Sequence, residues 1–183
     1  MNTEEKSVQK EAAEGYKKLV MVLLLFAGVF LFRSFVIERI VVEGTSMADT
    51  FQDGDVLWAR KFHIDQEHLN RFDVVNAKVD GKLYIKRIIG LPGETIQIKD
   101  GYVYINGELL AGDYGEEIIE AGLAKDTIFL KGNEYFIMGD NRNNSGDSRM
   151  FGAVRIDQIE SVNFYRIFPF HRLGSIEAGS AKD

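Results

Sequence analysis

The chain has 183 residues, enough for one domain of ordinary size with a real core. Its 22 basic and 28 acidic residues leave a net charge of -6, with no basic stripe, which excludes the usual electrostatics of a nucleic-acid binder. It contains no Cys, so disulfides, thiolate metal sites and Cys nucleophiles are excluded as well.

Residues 1–16 are polar and helix-prone, and are expected to form a loosely ordered cytoplasmic tail. The run "LVMVLLLFAGVFLF" follows at 19–32 without a charge. Residues 17–38 are expected to form a transmembrane helix, since about 20 residues cross a bilayer and Arg33 near one end can snorkel to the interface. A buried core helix fits poorly, because the run is apolar on every face. A cleaved signal peptide is the stronger rival, but no small-residue cleavage site follows. Lys6, Lys10, Lys17 and Lys18 precede the uncharged run. They favour a cytoplasmic N-terminus, a single pass through the plasma membrane and a main domain outside the cell.

From residue 39 the texture changes to short apolar runs bounded by Gly, Asn or Asp. "IERIVVEG", "DVLWARKF", "FDVVNAKV", "KLYIKRIIG", "ETIQIKDG", "YVYING", "EYFIMGD" and "ESVNFYRIFPF" are predicted strands. "KDG" and "NG" are hairpin turn signals. The fold class is therefore mainly β, an antiparallel domain over 39–174 on a single membrane tether. Residues 111–128 form an acidic excursion, read as a short helix or a mobile segment, and 175–183 a flexible tail.

Three stretches depart from plain β scaffold. "VVEGTSMADT" places Ser46 just after an apolar run. "YIKRIIGLPGE" sets Lys86 and Arg87 inside an apolar strand. "MGDNRNNSGDSRMFG" gathers Asp140, Arg142, Ser145, Asp147 and Arg149 in one polar loop, of the kind that carries function or a hydrogen-bonded knot. A buried Lys loses its proton more easily and can deprotonate a Ser hydroxyl, as in Ser-Lys variants of the serine triad. The residues alone leave a second reading open and favour it: Lys86 and Arg87 as solvated charges on an edge strand. His63 and His68 lie five apart in a polar loop and His171 is remote, so neither a Ser-His pair nor a His-ligated metal is supported. For Asp140 and Asp147, pairing with neighbouring Arg is a simpler role than acid–base work.

Taken in order, these motifs resemble the bacterial type I signal peptidases, membrane-bound serine proteases that remove signal peptides from exported proteins, and in particular the shorter Gram-positive type. The resemblance covers nearly the whole chain and is most specific at "YIKRIIGLPGE" and "GDNRNNSGDSRMFG". It implies Ser46 as nucleophile, Lys86 as general base and Ser145 as the hydroxyl that orients the Lys amine. It implies an oxyanion region at the Ser46 N–H and Gly44, and structural ion pairs Arg87–Asp140 and Asp147–Arg149. Substrate would lie extended between Ile40, Val41, Val42, Glu43 and Lys82, Leu83, Tyr84, Ile85, with small residues at positions −1 and −3 before the cut. An apolar surface near Met47 and Phe51 is expected to face the bilayer lipid. No metal or organic cofactor is implied. The implied partners are signal-peptide-bearing preproteins, with pilins as one candidate class, and the protein is expected to be a monomer.

Two positions depart from the resembled pattern. Asp49 replaces a Pro that would stiffen the turn after Ser46, and it would oppose base catalysis if its carboxylate reached Lys86. Asn76 stands where an apolar residue is more usual. Relatives that assist pilus assembly also depart near the active site, so a non-catalytic factor binding precursors in the same groove is the alternative. A self-cleaving repressor of similar chemistry is disfavoured by the apolar span and by the lack of a DNA-binding module.

Overall fold

The computed structural model describes residues 3–61, 64–113 and 117–176. The chain divides into two compact units, one up to Ile37 and one from Glu38 onward. The first is a single helix, α1 (Thr3–Val36), in which Ala13–Phe32 has a mean hydropathy of 1.9 and is long and apolar enough to cross a membrane. The helix starts well before the apolar run, where a loosely ordered tail was expected. Glu, Lys, Gln and Ala are good helix formers, and an apolar helix beside them supplies the nucleus from which helix propagates.

The second unit is built from antiparallel strands: β1 (Ile37–Val41), β2 (Val56–Arg60), β3 (Val74–Val79), β4 (Lys82–Gly90), β5 (Thr95–Lys99), β6 (Tyr102–Ile105), β7 (Glu108–Leu109), β8 (Ile128–Phe129), β9 (Glu134–Met138), β10 (Val154–Arg155), β11 (Ile159–Phe168) and β12 (Gly174–Ser175). A one-turn helix, α2 (Ser148–Phe151), sits in the polar box. The larger sheet runs β1-β2-β11-β3-β4-β9-β10, with β12 added beside β11, and the smaller runs β7-β6-β5-β8. All eight predicted strands are present. The two-residue strands β7, β8, β10 and β12 were not anticipated, since two residues carry no periodicity.

The hairpin turns explain themselves chemically. Asp100-Gly101 and Asn106-Gly107 both take positive φ, 52° and 82° in each pair, as a tight two-residue hairpin requires. Asp80-Gly81 does the same between β3 and β4, at 49° and 79°. That turn fixes the register that sets Asn76 opposite Ile85 and Val75 opposite Lys86.

Three apolar clusters hold the unit together. One, around Ile96, Leu130 and Phe136, includes the smaller sheet. A second, around Val75, Ile88 and Ile137, fills the middle of the larger sheet. The third gathers Val42, Met47, Phe51, Leu57 and Phe164. The expectation of an apolar surface at Met47 and Phe51 is therefore corrected: they are 2% and 0% exposed. The chain turns back after Ser46, with the Phe51 N–H donating to the Met47 carbonyl at 2.6 Å, and this tucks both side chains inward. Exposed apolar side chains lie instead at Val41, Leu83, Trp58, Phe168 and Phe170.

The excursion at 111–128 is anchored where it is described. Its 3-10 turn Gly122–Lys125 buries Ala124, and Ile118 is buried too. Residues 114–116 and the tail from 177 to 183 lie outside the described residues, as does His63.

Candidate active site

Lys86 lies near the middle of β4 and is 3% exposed. Its amine is 2.7 Å from Ser46 Oγ, although the residues are 40 positions apart. It also donates to its neighbour's carbonyl, Ile85 O, at 2.9 Å. Burial pulls the amine down from 10.5 to about 8, against the opposing pull of the Asp147 and Asp140 carboxylates. The reading of Lys86 as a solvated edge charge is thereby set aside. Asp49 is exposed, and the acidic groups that act on the amine are Asp147 and Asp140.

The loop carrying Ser46 is held by the polar box. The Asn141 N–H donates to Ser46 O at 3.1 Å, Asn141 Nδ2 to Thr45 O at 3.2 Å, and Asn144 Nδ2 to Thr45 Oγ1 at 3.0 Å. A glycine is required at 139: a Cβ there would strike Ser145 Oγ and come within 2.5 Å of the Ser46 carbonyl. None of these clamps joins residues close in sequence, so no local pattern announces them.

Beside the Ser46–Lys86 contact lie two buried ion pairs, both implied by the family resemblance. Arg87 grips Asp140 with two bonds of 2.7 Å, from Nε and Nη2, and donates a third to Phe72 O. Thr50 joins them: its hydroxyl donates to Asp140 Oδ2 at 2.6 Å and accepts from Arg87 Nη2 at 2.8 Å. Arg149 grips Asp147 likewise, at 2.9 and 2.8 Å. Asp147 also caps α2 and accepts from the Gly139 N–H at 3.1 Å. The role of Thr50 went unread, because the sequence presents it only as the residue after Asp49.

The box is also tied to the excursion. Arg142 forms a bidentate pair with Asp113 at 2.8 and 2.6 Å. Asn143 bonds the backbone of Glu117 and Ile119, and Arg149 reaches Glu120 O.

Two expected roles differ from the geometry. The Gly44 N–H donates to Asp53 Oδ1 at 2.7 Å and is committed there rather than open to an oxyanion. The return of the chain through Gly54, whose N–H bonds Val42 O, brings Asp53 back to Gly44. Ser145 Oγ is buried with no hydrogen-bond partner among the described residues, and the amine's second partner is Ile85 O rather than Ser145.

A groove of about 750 Å³ runs past Ser46 and Lys86. It is lined by Ile40, Val41, Val42 and Glu43 on one side and Leu83, Tyr84 and Ile85 on the other, while Lys82 is not among its lining residues. Strand β9 pairs with β4 only from Arg87 onward, so the stretch before Lys86 bonds β3 on one edge and leaves the other open to an added strand. β1 ends the sheet. His68 contacts Asp65 in a part-exposed loop, far in sequence from this arrangement. Among the described residues no group of three or more His, Asp or Glu is placed to hold a metal ion.

Residues 14–168 match the family described as signal peptidase, peptidase S26. Signal peptidase I T of Bacillus subtilis is 35% identical over 190 residues, covering 93% of this chain and 97% of that protein. Signal peptidase I of Bacillus licheniformis is 35% identical over 184 residues, with the same coverages of 93% and 97%. A crystal structure of a signal peptidase I from Enterococcus faecalis matches 51% of this chain and 95% of that chain, at 31% identity and a TM-score of 0.42.

Proposed function

The chain belongs to the signal peptidase family, peptidase S26, as a type I enzyme that cleaves signal peptides from preproteins, and from that premise we propose that Ser46 and Lys86 form its catalytic dyad. The observation that carries this reading is the 2.7 Å contact between a buried, low-pKa amine and a hydroxyl at the wall of an open groove. The neutral Lys86 amine takes the Ser46 Oγ proton as Oγ attacks the carbonyl carbon of the −1 residue. The Ser46 backbone N–H donates to the developing oxyanion. Collapse breaks the C–N bond, and the Lys86 ammonium gives its proton to the leaving amine, which is the new N-terminus of the mature protein. Water then attacks the ester with Lys86 again as base. Collapse returns the proton to Ser46 Oγ and frees the signal peptide as a carboxylate.

The precursor adds as an extended strand between β1 and the open edge of β4. Small residues fit at −1 and −3, where side chains face the groove wall. Ser145 turns its unpaired hydroxyl toward the ammonium when Lys86 takes the proton. The apolar helix α1 anchors the enzyme in the plasma membrane with its N-terminus inside, which puts the groove on the face where signal peptides emerge. A non-catalytic pilus-assembly factor would need the groove but not a desolvated amine against Ser46, so the catalytic reading stands first.

The test uses detergent-solubilised full-length protein and a precursor with an Ala-X-Ala site, pilin precursors included. Wild type is expected to release the signal peptide, and Ser46→Ala to leave the precursor intact. Equal inertness of both on every precursor would sink the proposal. In the same assay Gly139→Ala should lower kcat/KM about 10²-fold, because the added methyl displaces the Ser46 carbonyl from its clamp. Wild-type kinetics in that variant would mean that the loop absorbs the methyl without moving Ser46.

A further inference from the structure

Asn76 sits on β3, 1% exposed, opposite Ile85 of β4 and Ser161 of β11. Among the described residues neither its Oδ1 nor its Nδ2 has a hydrogen-bond partner. Buried amides almost always find partners, and leaving one unpaired is destabilising. Asn76 is also one of the residues that border the groove, together with Ser46, Ile85 and Lys86, with both amide atoms closed off from solvent in the free chain. An amide with unpaired donors and an unpaired acceptor therefore lies directly behind the surface along which the precursor is proposed to bind.

The complementary ligand group must both donate and accept. A hydroxyl does so, and a methyl does not. The −1 carbonyl must reach Ser46 Oγ, so the −1 side chain lies against the dyad. In an extended peptide the next side chain on the same face belongs to −3, about 6.4–6.8 Å further along. Asn76 pairs with the residue that precedes Lys86, on the side toward the open stretch of β4. We propose that Asn76 is a specificity-determining residue that selects a hydroxyl-bearing side chain, Ser or Thr, at position −3 of the precursor. The inference rests on the reading of Ser46 and Lys86 as a protease dyad, and it adds a polar contact to a pocket otherwise chosen for size.

Thr and Val have the same shape and differ by one hydroxyl, so they isolate the effect. Precursors identical except for Ala, Thr or Val at −3, and a second set varied at −1, are given to the full-length protein in detergent. Wild type should prefer Thr to Val at −3 by about tenfold in kcat/KM. Asn76→Val should bring that ratio to about one while still cleaving the Ala precursor, and Asn76→Thr, which replaces the amide with a hydroxyl that also donates and accepts, should restore part of it. Ser161→Ala tests the rival explanation. Ser161 Oγ is the other buried, unpaired group beside Asn76 but does not line the groove. If the two only satisfied each other, Ser161→Ala would change the ratio as much as Asn76→Val does. That result overturns the proposal, as does a wild-type Thr/Val ratio of one at −3, or a hydroxyl preference confined to −1. A wild type inert on the Ala precursors overturns the protease reading itself, and the two failures are told apart by that arm.

Discussion

Replacing Lys86 with Met is expected to lower kcat/KM for a precursor by about 10³-fold or more, while the domain stays folded. Met nearly matches the volume of the Lys stem and brings no charge into the buried site. The pH profile of the wild type gives the companion result. Only the neutral amine can take the Ser46 proton, so activity should rise with pH through about 8, where the buried amine titrates, and then level. The stability sign follows from the same shift. The amine titrates near 8 in the folded chain and near 10.5 in the unfolded one, so between those values the unfolded chain binds more protons. The stabilising contribution is fully present above 10.5, is lost as pH falls through 8, and should vanish in Lys86→Met. Asp49→Asn should leave the activity limb where it is, since Asp49 is exposed and other carboxylates act on the amine. A limb that moves to lower pH in Asp49→Asn would show that its charge does reach Lys86.

Asp140→Ala is expected to be the most destabilising single change near the site, by about 3–5 kcal/mol. It leaves the Arg87 guanidinium, 1% exposed, without its carboxylate, and it frees Thr50 from the loop's base. Fluorescence of Trp58, the chain's single Trp, follows unfolding of the β unit alone. The paired change Arg87→Met with Asp140→Leu should recover much of the loss, because most of it is the penalty of one unpaired buried charge. Residual activity in Asp140→Ala should show its limb moved to lower pH, since Asp140 holds the Lys86 amine up. A loss below about 1 kcal/mol would mean that water reaches Arg87 and that the pair is not sealed.

The sequence made much of the scaffold readable. Alternating apolar residues and the Asp-Gly and Asn-Gly turns are local signals, and they located every long strand. The pairing of Ser46 with Lys86 was readable only through motif resemblance, because a Lys between isoleucines is compatible with both a buried base and a solvated edge. What stayed hidden depends on contacts across many residues. Thr50 meets Asp140 over a separation of 90 positions, and Asn144 meets Thr45 over 99. Gly44 looked free to serve an oxyanion, because nothing near it indicated that Asp53 would fold back onto its N–H. Met47 and Phe51 looked like a membrane-facing surface for the same reason. Hydrophobicity gives no direction until the turn that carries the residues is known.

The ties from Arg142, Asn143 and Arg149 to the excursion bear on how such an enzyme can be altered by exchange of parts. The excursion cannot be swapped with a relative's as an independent cassette. Its Asp113 and its backbone at Glu117, Ile119 and Glu120 are partners of the same loop that clamps Thr45 and Ser46. A graft that changes its length without residues 139–149 strands a buried guanidinium beside the loop that supports Ser46. Segment and loop form one transplantable piece, and chimaeras should be cut outside both.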